Sequence, residues 1–177
     1  FMPSRLFIYY NEREMEGTIS SDSGASIRDG IKSINKIGVC DEKEWPYDIE
    51  KFTIKPTEKC YLDAKYNTSL DYKRVQQSLN DLRLCLKSGY PIVFGFTVYE
   101  SFESEEVSNS GYMPYPKKDE KILGGHCVVA VGFNENYFII RNSWGEEWGD
   151  KGYFYMPYEF IKNQEWCSDF WTCSKVS

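Results

Sequence analysis

The sequence predicts an α+β fold, with a mainly helical lobe over residues 1–90 and a β-rich lobe over residues 91–177. Apolar residues recur at helical spacing in the first half, whereas the second half carries short runs rich in β-branched and aromatic residues. Helices first and strands second is the order of segregated layers. With 41% hydrophobic and 17% aromatic residues the chain has the means to build a core, so disorder is not expected.

Each element follows from local chemistry. Pro3-Ser4 before "RLFIYYNER" fits a short helix opened by Pro in its first turn. Ser26 reads as the cap of a second helix, on which Ile27, Ile31, Ile34 and Ile37 form a stripe and Gly38 the stop. Cys40 to Asp63, punctuated by Pro46 and Pro56, reads as loop. Asp71 then opens a third helix with Val75, Leu79, Leu82 and Leu86 on one face and Gly89 at its end. "PIVFGFTVY", "HCVVAVGF", "YFIIRNSW" and "GYFYMPY" are four strands, with a turn at Asn134–Asn136 between the second and third. Residues 100–125 form a long connection whose acidic run, Glu100 to Glu106, is expected to be solvated.

Charge narrows the function. A net charge of −6 without a compensating Lys/Arg cluster argues against nucleic acid as a partner. No apolar run is long enough to span a bilayer, so no membrane partner is expected. The six cysteines lack paired C-x-x-C spacing, and one histidine does not complete a mixed zinc site, so no metal is expected. Asn67-Thr68-Ser69 is a formal glycosylation sequon. The compartment stays open. "FMPSRLFIYY" begins within an apolar segment, which leads to the expectation of further chain upstream of Phe1.

His126 is the one histidine. If Asn134–Asn136 all form the loop, Asn142 stands opposite Val128, and His126 shares that face as its diagonal neighbour, about 7–8 Å away. A two-residue loop sets Asn142 against Cys127 and turns His126 to the other face. In the first register an Asn oxygen accepting from one imidazole nitrogen leaves the other nitrogen facing outward, the orienter–base half of a catalytic triad. Trp144 and Trp148 follow, and an indole laid over a His–Asn bond would exclude water from it. On spacing alone, a core histidine beside turn chemistry is the commoner outcome.

The full string "GGHCVVAVGF…YFIIRNSWGEEWGDKGYFYMPYEFI" closely resembles the His and Asn region of papain-like cysteine peptidases, relatives of the cathepsins. "DSGASIRDGIKSINKIGVCDEKEWPYD" resembles that family's glycine-bearing substrate segment, following helix and Tyr-Pro-Tyr-type turn, written here Trp45-Pro46-Tyr47. "FMPSRLFIYYNER" and "SDFWTC" are similar to the branch found in bacteria, archaea and large DNA viruses. The resemblance implies a papain-like two-lobed fold, with a partial helical lobe and an antiparallel sheet or barrel-like lobe. By position it implies His126 as general base, Asn142 as its orienter, Trp144 as the shield of that pair, and Ser23, Gly24 and Gly125 as substrate-binding residues. Many relatives carry a second glycine where Ser23 stands.

The family's nucleophilic Cys and its oxyanion-hole Gln lie upstream of the "PSRLF" segment and are not in these 177 residues. The resemblance therefore implies a cysteine-type endopeptidase whose Cys comes from a segment outside this chain. No cofactor is required. Its partners are a peptide or protein substrate and a separate N-terminal chain or propeptide. The alternative is a catalytically inactive homologue that binds peptides or proteins. Cys40 with Cys60, and Cys167 with Cys173, could form disulfides.

Overall fold

The computed structural model describes residues 1–68 and 70–175, so Ser69 of the sequon lies outside the described residues. The chain divides into two compact units, Phe1–Tyr72 with the C-terminal residues from Ser174, and Lys73–Cys173.

In the first unit, helix α1 (Arg5–Glu16) is capped by Ser4, whose hydroxyl accepts from the Phe7 N–H at 3.2 Å. Pro3 lies outside the helix, in a bridge with Asp41, and the helix runs on to Gly17, which closes it at φ +73°. Helix α2 (Ile27–Ile37) starts after Ser26, but the Ser26 side chain makes no cap; its backbone N–H donates instead to Glu16 Oε1 at 2.8 Å. A short helix α3 (Glu58–Ala64) occupies part of the stretch expected to be loop. Seven residues show too few turns for a period to stand out, and only Cys60 and Ala64 of α3 are buried.

The second unit is built on strands. Leu70–Arg74, which spans the boundary between the units at Lys73, is strand β1, where the sequence pattern suggested the start of a helix. The helix, α4 (Leu79–Lys87), begins only after Ser78, whose Oγ accepts from the Asp81 N–H at 3.1 Å. It packs on the sheet and buries Leu82 completely. Strands β2 (Ile92–Tyr99), β3 (Ile122–Phe133), β4 (Tyr137–Arg141), β5 (Tyr153–Pro157) and β6 (Cys167–Lys175) complete a six-stranded antiparallel sheet in the order β1-β6-β2-β3-β4-β5. Helix α6 (Tyr158–Lys162) follows β5. On β2, Ile92, Phe94, Phe96 and Val98 alternate into the core, as a strand half-buried on one face requires.

The acidic stretch is not a simple loop. It forms a 3₁₀ turn, Glu100–Glu103, and helix α5 (Glu105–Ser110), and it drives Phe102 wholly into the core between Phe96, Trp148 and Phe154.

The β3–β4 hairpin decides the site. Its turn is tight: the Asn134 N–H donates to the Tyr137 carbonyl at 2.9 Å, and Asn134 Oδ1 accepts from the N–H groups of Asn136 and Tyr137. Phe133 therefore pairs with Phe138, a register that carried on without a break would set Asn142 against Val129. A bulge intervenes. Between Ala130 and Gly132 the strand holds one extra residue, Val131, so Ala130 pairs with Ile140 and Val129 with Arg141. Continuing that register puts Asn142 level with Val128, on the His126 side. A two-residue turn plus a one-residue bulge thus has the effect expected of a three-residue loop.

Candidate active site

His126 and Asn142 meet directly. The imidazole Nε2 lies 2.8 Å from Asn142 Oδ1, closer than a diagonal strand pair requires, because Asn142 has already left β4 and its backbone N–H donates to the Gly152 carbonyl at 2.9 Å. The amide orientation is fixed by a second donor: the Ser143 backbone N–H, which can only donate, lies 2.8 Å from the same Oδ1. That atom is therefore the oxygen, Nε2 carries the proton toward it, and Nδ1 of the neutral ring holds the free lone pair. Asn142 is 8% exposed, and its Nδ2 has no hydrogen-bond partner among the described residues. His126 itself is only half-buried.

Aromatic rings enclose the pair. Trp144 stacks on the imidazole at 5.0 Å between centroids and 24° between planes, while remaining 40% exposed on its outer side. Phe96, the cross-strand partner of His126, offers an edge at 5.9 Å. Beneath the indole lie Phe102 at 5.5 Å and Trp148 at 5.0 Å. Gly149 makes room for the return of the chain, since a methyl there would stand 2.4 Å from the Tyr153 carbonyl oxygen. The sequence pointed to Trp144 but missed Phe102 and Phe96. The signal for Phe102 was an aromatic residue stranded inside an acidic run, which only burial explains.

Gly125 faces Thr97 on β2, is exposed, and a side chain there would meet nothing within 4 Å. Ser23 and Gly24 lie in the first unit, exposed in the stretch between α1 and α2. Gly24 has φ +68° and so requires glycine, whereas Ser23 does not share that conformation and tolerates a side chain. Two residues of α1 that the sequence reading passed over hold this stretch. The Tyr9 hydroxyl donates to Asp22 and accepts from the Gly24 N–H at 3.1 Å. Arg13, with no exposed surface, donates to the carbonyls of Tyr9, Ile19, Ser21 and Phe52, and its guanidinium stacks on the Tyr9 ring at 3.9 Å. Its position was legible: Leu6, Tyr10 and Arg13 follow the i, i+4, i+7 spacing of a buried stripe.

No cysteine among the described residues is disulfide-bonded. Cys167 and Cys173 cannot bridge: six residues apart on β6, they are about 20 Å apart at ~3.3 Å per residue, far beyond disulfide reach. Cys127 pairs with Gly95 and, next to His126 on a strand, points to the opposite face. Cys167 shares a row with His126 through Phe96 but is two strands away, about 10 Å, with its thiol on the Phe160 carbonyl and its pKa pushed up by burial. Neither stands where Nδ1 could take its proton.

The sequence profile of the papain family of cysteine proteases matches residues 20–168, and the chain belongs to that family. Within it, an uncharacterized peptidase C1-like protein of Acanthamoeba polyphaga mimivirus is 50% identical over the whole of this chain, which spans 60% of that relative's length. The crystal structure of xylellain, a cysteine protease from Xylella fastidiosa, superimposes with a TM-score of 0.90 at 46% identity, covering all of this chain and 71% of xylellain. The Carica candamarcensis cysteine protease in complex with E-64 shares the fold alone, at 18% identity and a TM-score of 0.63 over 89% of this chain and 68% of its own.

Proposed function

We propose that this chain carries the base and the orienter of a papain-like cysteine endopeptidase, acting through a Cys-His-Asn triad whose Cys lies on a segment outside these 177 residues. The carrying observation is the 2.8 Å Nε2–Oδ1 bond under the stacked indole of Trp144. It leaves Nδ1 as the basic nitrogen, the atom that would accept a proton from an incoming thiol. The resulting thiolate–imidazolium pair lowers the thiol pKa below its free value of about 8.5, and Asn142 holds the ring in the orientation that both forms need. The thiolate attacks the scissile carbonyl, the Nδ1 proton passes to the leaving amine, and water releases the acyl group from the thioester. Trp144 keeps bulk water off the His–Asn bond, where water would compete with it. Gly125 beside His126, and Ser23 and Gly24 within the first unit, each offer exposed backbone and little side-chain bulk, as a substrate-binding role for each requires.

The test uses the full-length protein and an epoxide that alkylates activated peptidase thiols. Labelling and peptide cleavage are expected in the native protein, and His126→Ala is expected to lower turnover on the order of 10⁴-fold with the melting temperature retained. Undiminished labelling and cleavage in that variant would sink the assignment. The alternative reading is an inactive homologue that binds peptides or proteins. It predicts no labelling of the native protein and peptide binding indifferent to His126→Ala.

A further inference from the structure

The two buried cysteines of the first unit share one apolar cluster, and the backbone explains how. Gly38 ends α2 at φ +88° and sits so close to α3 that a methyl on it would stand 1.9 Å from the Ala64 carbonyl oxygen. Asn67 Nδ2, three residues past the end of α3, donates to the Val39 carbonyl at 3.2 Å and holds the chain beside that helix end as it leaves Gly38. Two residues further along lies Cys40; one turn back from Ala64 on the same face of α3 lies Cys60. Two extended residues and one helical turn each span about 6 Å, so the two cysteines stay within one buried neighbourhood. Both are sealed, 0% and 1% exposed, in a cluster with Phe7, Val39 and Ala64. The Cys60 sulfur lies 3.2 Å from Thr57 Oγ1 and 3.7 Å from the Glu44 carbonyl oxygen, and Cys60 is among the groups that raise the Cys40 thiol.

We propose that Cys40 and Cys60 form a redox-active dithiol, which a small-molecule disulfide such as glutathione disulfide converts to an intramolecular disulfide tying the end of α2 to α3. One thiolate of the pair attacks a glutathione sulfur, forming a protein–glutathione disulfide and expelling one glutathione thiolate. The partner thiolate then attacks the protein sulfur of that mixed disulfide, forming the Cys40–Cys60 bond and expelling the second glutathione. The two thiol protons end on the two glutathiones, and the protein loses two electrons to the reagent. Burial, and then the neighbouring Cys60, push the Cys40 thiol up to about 12, so the closed native unit exchanges slowly and oxidation proceeds through local opening or during folding. The bond would close the stretch from Cys40 to Cys60, which holds Trp45-Pro46-Tyr47, a three-residue 3₁₀ turn and the first residues of α3. Neither thiol belongs to the triad, so the inference stands apart from the proposed peptidase activity.

The test equilibrates the purified protein in glutathione buffers of stepped oxidised-to-reduced ratio, both as the native protein and during refolding from denaturant. It then alkylates the remaining thiols under denaturing conditions and maps the peptides. The expected product is a Cys40–Cys60 linked peptide pair 2 Da lighter than the two reduced peptides together, reversed by dithiothreitol. The melting temperature should rise by roughly 5–10 °C on oxidation, a rise absent from Cys40→Ser and Cys60→Ser. The inference is overturned if Cys40 and Cys60 remain alkylatable after refolding in the most oxidising buffer. Separate glutathione adducts on each, or links to other cysteines in place of this one, also overturn it.

Discussion

The two stretches that carry candidate site residues are built in opposite ways. His126 and Asn142 are set by a β ladder, and rings of Phe96, Phe102 and Trp144 pack around them. Ser23 and Gly24 lie outside any ladder and are held by side chains of one helix, with Tyr9 on the Gly24 N–H and Arg13 on the carbonyls of Ile19 and Ser21. A sheet distributes its hold over many backbone bonds and apolar contacts, so its site residues are free to be chosen for chemistry. A loop gathered by one guanidinium concentrates its stability in a single residue. Removing a site residue should therefore act on rate in the first region, and removing a supporting residue on stability in the second.

Arg13→Met gives the sharpest test. It removes the donor to four carbonyls inside the protein, and a loss of about 3–5 kcal/mol in unfolding free energy is expected by denaturant titration. A loss under 1 kcal/mol would remove the contrast. Asn142→Ala should do the reverse. With Nδ2 already unpartnered, stability changes little, while turnover falls about 10–100-fold, the rate equivalent of a charge-assisted hydrogen bond of ~1.5–3 kcal/mol.

A pH titration adds a second distinction. Glu12 on α1 has its carboxyl raised to about 7, by burial first and then by Glu16 and Asp29, against the pull of Arg13. The unfolded chain releases that proton near the ordinary 4.5, so the folded state binds more protons between about 4.5 and 7. Stability conferred by the protonated group is full below about 4.5 and declines as pH rises to about 7, by up to roughly 3 kcal/mol. Glu12→Gln should flatten this slope, and an unchanged slope would place the titration elsewhere. The smallest effect expected is from Trp144→Ala, a drop in turnover of about 2- to 10-fold, from a stacked pair of roughly 0.5–1.5 kcal/mol. Its size relative to Asn142→Ala separates shielding from orientation.

What the sequence made legible follows the same division. The strands β2 to β5 and the His–Asn string were readable because alternation and a dense run of Gly and Trp leave little freedom. The register was not, because nothing in "VVAVGF" marks Val131 as the extra residue. Val75, Leu79, Leu82 and Leu86 fall at helical spacing, which masked β1, although Ser78 followed by Asp81 was a usable cap signal. The long connection hid Phe102 because charge on either side of it suggested solvent. Around Ser23 and Gly24 the positioning bonds run from side chain to backbone across distant positions such as Arg13 to Phe52, and no local period records such contacts.

The bulge at Val131 also sets which edits the hairpin can absorb. Deleting Val131 removes a residue that faces no partner and leaves Ala130 against Ile140, so the imidazole keeps its side. Deleting Val129, inside the regular ladder, would pass every preceding residue through the sheet, setting Cys127 opposite Asn142 and Gly125 where the ring now stands. Two valines a knight's move apart thus differ completely in what their loss would do, and length variation near the tip of this ribbon is harmless on one side of Ala130 and ruinous on the other.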